Sequence, residues 1–173
     1  MGAAFGSFNM VSAPSISLED KSLWILQVSP VSSRDVLMAK LLCHITVSAP
    51  FALISSTLIC IAFNLELGLS IMAVALAILS TVMTGYLGLF LGLKFPKFDW
   101  ENEQVAVKSG FAVFGAMFLP MLLNIVLIGV GILLSFLPYL AIGVMLIPSI
   151  VISIVLHIYL VKRGTKVFEN LKH

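Results

Sequence analysis

Four side chains able to do chemistry lie inside or beside long apolar runs: His44, Glu66, Asn124 and His157. An ionisable or strongly polar group held within a bilayer is expensive, so each is a functional candidate first. His44 and His157 fall about one turn inside the cytoplasmic ends of two expected helices. Each could titrate or bind a ligand, and they could face one another across a bundle. Their plainer role is to snorkel or to satisfy a backbone group. Glu66 falls in an expected outer turn, as a solvated loop acid. Asn124 lies near the middle of an apolar run, suited to an interhelical hydrogen bond or to lining a path.

The remaining chemistry is sparse. No pair of acids lies at depth to relay protons. The runs H-E-x-x-H, G-x-S-x-G and G-x-x-x-x-G-K-[ST] are absent. Cys43 and Cys60 lie several turns apart on one expected helix, too far for a disulfide, and read as small apolar residues. The expectation is a chain with no catalytic, cofactor-binding or metal residues, and not an enzyme.

These residues need helices in lipid to hold them. The chain has 173 residues, 60% hydrophobic and 10% charged, with a mean hydropathy of +1.13. A soluble domain carries roughly a quarter charged residues, so lipid must cover much of the outside. The net charge of +2 and the lack of a dense basic run give no reason to expect nucleic acid as a partner. Between Lys40 and Lys94 the one charged residue is Glu66, and between Lys108 and Lys162 there is none. Each block is roughly 50 residues, room for two spans of about 20 and a turn. Spans are expected at Leu41–Phe63, Leu69–Leu93, Phe111–Leu134 and Tyr139–Val161. The fold class is thus all-α integral membrane, with four transmembrane helices as two hairpins preceded by a short cytoplasmic interfacial helix. In residue ranges, 1–40 form an N-terminal stub and that helix, 41–93 the first hairpin, 94–110 a cytoplasmic loop, 111–161 the second hairpin and 162–173 a cytoplasmic tail.

All 10 Lys and Arg lie before the first span, between the second and third, or after the fourth. The positive-inside rule then puts both ends and the central loop in the cytoplasm of a multi-pass cell-membrane protein. Ser32 with Asp35 reads as an N-cap starting the first helix near Ser33, and Ser17 with Asp20 as one for the interfacial helix. Trp24 and Trp100 fall at expected membrane boundaries, where indole rings prefer to lie. Thr81, Gly85, Gly88 and Gly92 share one helical face, which lets another helix approach closely. Pro50, Pro120 and Pro148 should each kink a span. The loop Lys94–Glu103 holds Phe95, Phe98 and Trp100, which need a surface to bury them, either headgroups or another protein segment.

Two stretches carry a more specific signal: Ser12–Leu26 leading into Ser29–Lys40, and Phe95–Glu103 followed by Val107-Lys108. The pattern S-x-S-I-S-L-E-x-K-x-L-W-I-L, then P-V-S and A-K, then F-P-x-F-D-W-x-N-E, resembles bacterial type-2 ABC exporter permeases found mostly in Firmicutes. Asp20 and Ser29 depart mildly from it. The resemblance implies a membrane-spanning permease subunit driven by a separate cytoplasmic ABC ATPase subunit, with a second permease half or a homo-oligomer completing it. Family members are longer, so this chain would correspond to the C-terminal half. Candidate ATPase-contact or interfacial residues are Trp24, Arg34, Asp35, Asp99, Trp100 and Glu101. The helix-packing candidates are Thr81, Gly85, Gly88 and Gly92, and the path-lining candidate is Asn124. The alternative is a non-transporting four-helix membrane scaffold that binds a partner through the glycine face.

Overall fold

A computed structural model of the chain describes residues 31–95, 111–134 and 136–169. The described residues form helices and no strand. We number these α1 (Ser33–Ala62), α2 (Leu67–Lys94), α3 (Phe111–Leu133), α4 (Pro138–Tyr159) and α5 (Thr165–Glu169). A wide π-type turn, Leu160–Gly164, joins α4 to α5. The expected interfacial helix, with Trp24, lies outside the described residues, as do Asp99, Trp100 and Glu101 of the central loop.

Local chemistry accounts for the helix ends. The Ser32 hydroxyl accepts a hydrogen bond from the Asp35 N–H and donates to Asp35 Oδ2 at 2.6 Å. That pair occupies donors that the first turn otherwise leaves open. At the far end of α1, Asn64 adopts φ 47°. The Asn64 N–H returns to Ile61 O and the Leu65 N–H to Cys60 O. This is the Schellman arrangement, with asparagine at the left-handed position that most residues avoid. Pro138 begins α4 at a place where a missing N–H costs nothing. Pro50, Pro120 and Pro148 all lie inside helices that continue past them.

Three helical segments are long and apolar enough to cross a membrane: Ser33–Ala62, Leu67–Lys94 and Pro138–Phe168. The third expected span, Phe111–Leu134, corresponds to α3, whose apolar stretch Phe118–Leu133 is shorter. Phe51, Leu58, Leu122, Val126, Val151 and Val155 are among the large apolar side chains exposed on α1, α3 and α4. An apolar exterior of this extent suits hydrocarbon rather than water.

α2 is the central helix, touching α1, α3 and α4. Its second half is buried nearly all round, from Leu76 to Leu93. This explains why the small residues concentrate there: a helix with neighbours on several sides must let their backbones come close. A dense core forms at the Lys94 end of the bundle. Val36, Leu37 and Leu41 of α1 meet Tyr86, Leu89 and Leu93 of α2, with Leu160 and Phe168 closing it. The helix that begins at Pro138 runs on past Val161 to this end of the bundle, and Phe168 is buried against this core. The π-type turn makes this possible. The Thr165 N–H reaches Leu160 O, five residues back, and Gly164 passes so close to α2 that an added Cβ would lie 3.2 Å from Leu93 Cδ1.

Candidate functional site

Many polar side chains of the bundle face inward, around α2. Ser48 and Ser56 of α1, Ser80, Thr81 and Thr84 of α2, Asn124 of α3, and Ser149 and Ser153 of α4 are all buried. Most bond within their own helix. Thr81 donates to Ala77 O, Thr84 to Thr81 O, Ser149 to Met145 O and Ser153 to Ser149 O. Such back-bonding satisfies a hydroxyl where no water is at hand.

The two histidines occupy different faces of α2. His44 is fully buried, its Nε2 3.5 Å from Thr84 Oγ1. Gly85 lies beneath it: a Cβ there would come within 2.8 Å of His44 Cδ2 and 2.9 Å of Leu41 Cδ1. The absent side chain of Gly85 is therefore the space His44 fills. His44 Nδ1 and the Ser48 hydroxyl, one turn further along α1, have no protein partner. His157 is half-buried, and its Nδ1 lies 2.9 Å from the Tyr86 hydroxyl, with the two rings edge to face at 5.7 Å. Thr84 and Tyr86, two positions apart, point to nearly opposite sides of a helix. α2 thus stands between the histidines, which do not face each other across an open bundle. Both partners on α2 were invisible to sequence reasoning, because a tyrosine or threonine in an apolar run carries no periodic signal of its own.

Of the remaining α2 candidates, Thr81, Gly88 and Gly92 are buried. Arg34 and Asp35 are exposed at the start of α1. Glu66 is exposed, yet it is tied: Tyr139 donates its hydroxyl to Glu66 Oε2 at 2.9 Å and packs over Gly68. This links the α1–α2 turn to the first turn of α4. At the other end of the bundle, Lys94 lies over the Phe90 ring, itself edge to face with Tyr159.

Asn124 lies where α1, α2, α3 and α4 surround a cavity of about 130 Å³. Its amide donates to Pro120 O at 2.8 Å. Ser56, Cys60 and Ser80 are the other polar walls, and the rest is apolar. A second, open cleft of about 560 Å³ lies between the outer halves of α1 and α2. Cys60 and Leu65 belong to the walls of both. Cys43, by contrast, is exposed. Among the described residues, no group of three or more His, Cys, Asp and Glu side chains could hold a metal ion.

No curated protein and no solved structure matches the chain. A protein-family model matches residues 9–163. Its description is that of an ATP-binding cassette, and this corrects three expectations. The resemblance to an exporter permease is not upheld, nor is the function drawn from it, a permease subunit powered by a separate ATPase. The exclusion of ATPase character falls with them, because the family is named for nucleotide binding. Absence of one short motif was too narrow a basis for excluding it. The phosphate loop is a strand–loop–helix device, so the family assignment rests on the match along the chain rather than on a nucleotide site among the described helices. By that match, covering nearly the whole sequence, the chain belongs to the family described as "Putative ATP-binding cassette".

Proposed function

We propose that this chain is a membrane-embedded helical part of an ATP-binding cassette transport system, crossing the bilayer four times with both ends in the cytoplasm. The observation that carries this reading is the interior cavity at Asn124, lined by all four long helices of an apolar bundle. Buried neutral polar groups around a central helix let neighbouring helices exchange hydrogen bonds as they shift. The proposed contacts with the rest of the system lie at the cytoplasmic end of the bundle. Arg34 and Asp35 are exposed there, and Trp24, Asp99, Trp100 and Glu101 of the neighbouring segments are the further contact candidates. A second copy of the bundle is the proposed lateral neighbour within the lipid.

Two measurements test this reading. In membranes of the native host, Cys60 is alkylated with a small maleimide and compared with Cys43 by mass spectrometry. Mg-ATP with vanadate is expected to change the ratio severalfold, because Cys60 lies on the shared wall of cavity and cleft. An unchanged ratio overturns nucleotide-linked movement of the bundle. For the topology, Asn64→Cys is expected to react with a membrane-impermeant thiol reagent on intact cells, and Lys166→Cys only after permeabilisation. The reverse pattern overturns the orientation.

A further inference from the structure

The cavity and the cleft share a wall, and that sharing has chemical content. The cleft between the outer halves of α1 and α2 is lined mainly by apolar side chains, among them Ile61, Leu67 and Ile71, and it is open. Ile61, Leu67 and Ile71 are also well exposed, so in a bilayer the cleft opens to hydrocarbon. Behind Cys60 and Leu65 lies the smaller, more sheltered cavity, whose polar groups are the hydroxyls of Ser56 and Ser80, the amide of Asn124 and the Cys60 thiol. None of these is ionisable at neutral pH in the way of a carboxylate or an amine. A ligand charge entering this cavity would lose its hydration without meeting a counter-charge. A neutral hydroxyl or amide would find donors and acceptors of its own kind. An apolar surround with a few convergent polar groups is the usual build of a small-molecule site.

We propose that the two spaces form one lateral binding site for an uncharged amphiphile, a molecule with a neutral hydroxyl-bearing head and an acyl chain. The head lies at Ser56, Ser80 and Asn124, and the chain lies in the α1–α2 cleft. Cys60 and Leu65 form the threshold between them. About 130 Å³ accommodates a glycerol-sized head, and the open cleft of about 560 Å³ accommodates a stretch of acyl chain. Entry is from the bilayer, sideways between α1 and α2. The site stands independently of whether the system transports what it binds.

The test uses the intact chain in lipid nanodiscs of zwitterionic phospholipid and a monoacylglycerol carrying a diazirine in its acyl chain. After illumination, adducts are mapped by mass spectrometry. Adducts are expected to concentrate on cleft residues such as Thr57, Ile61 and Ile71 rather than on Leu122 or Val151 of the outer faces. Excess unlabelled monoacylglycerol should remove the cleft adducts, while a fatty-acid anion of equal chain length should not. Adducts spread evenly over the exposed apolar faces overturn the proposal, and so does equal competition by the anion. The double variant Ser80→Val with Asn124→Leu removes two polar partners and is expected to weaken competition by about tenfold. Because the competition on the unaltered chain decides the matter by itself, poor folding of that variant does not shield the proposal.

Discussion

Gly85→Leu is expected to part α1 from α2 at the level of His44 and to lower the stability of the bundle by about 3 kcal/mol, at the upper end of what overpacking costs. Even the first added carbon would lie 2.8 Å from His44 Cδ2 and 2.9 Å from Leu41 Cδ1. Neither neighbour has room to withdraw, since His44 and Leu41 are both buried. Removing a glycine from a helix interior gains up to about 1 kcal/mol in propensity, which the clash exceeds. The measurement is thermal unfolding of the detergent-solubilised chain. A pair of further variants isolates the cause. Gly85→Ala should destabilise the unaltered chain more than a His44→Ala background, where the closer of the two contacts is gone and only Leu41 must give. If Gly85→Ala is equally harmful in both backgrounds, His44 is not what Gly85 accommodates.

The second large effect is expected at Phe168. Its side chain is 1% exposed and closes a core made from both ends of the described chain. Truncating a buried phenylalanine to alanine costs about 3–5 kcal/mol. Phe168→Ala should therefore release α5 from the start of α1 and the end of α2, and expose the segment after Gly164 to limited proteolysis. Val167→Ala, changing a neighbour that is exposed, serves as the control and should leave cleavage unchanged. Equal cleavage of the two variants would show that α5 is not held by Phe168.

The long apolar helices of this chain were legible in its residues because a bilayer imposes a one-dimensional rule. Each backbone polar group must be satisfied within its own segment, so each span is a long uninterrupted apolar run that can be read off directly. The start of α1 was equally legible, since Ser32 and Asp35 bond across three positions and need nothing from the rest of the fold. The spacing of Thr81, Gly85, Gly88 and Gly92 was readable for the same local reason, and all four are buried. What covers that face was not legible. That His44 fills the space over Gly85, that Tyr86 holds His157, and that Tyr139 reaches Glu66 are pairings across 40 positions or more. In an apolar chain, many such pairings are compatible with the same hydropathy. The burial of Phe168 in the core was hidden too, because it depends on the widened helical turn at Leu160–Gly164 rather than on composition. The inner cavity belongs to the same class. Ser56, Ser80 and Asn124 sit on three different helices, and only the packing of those helices around α2 brings them to one place. The sequence by itself determined which segments are long apolar helices and where α1 begins. Tertiary structure alone decided which polar groups meet, because hydrocarbon on every side gives each helix no preferred face until another helix supplies it.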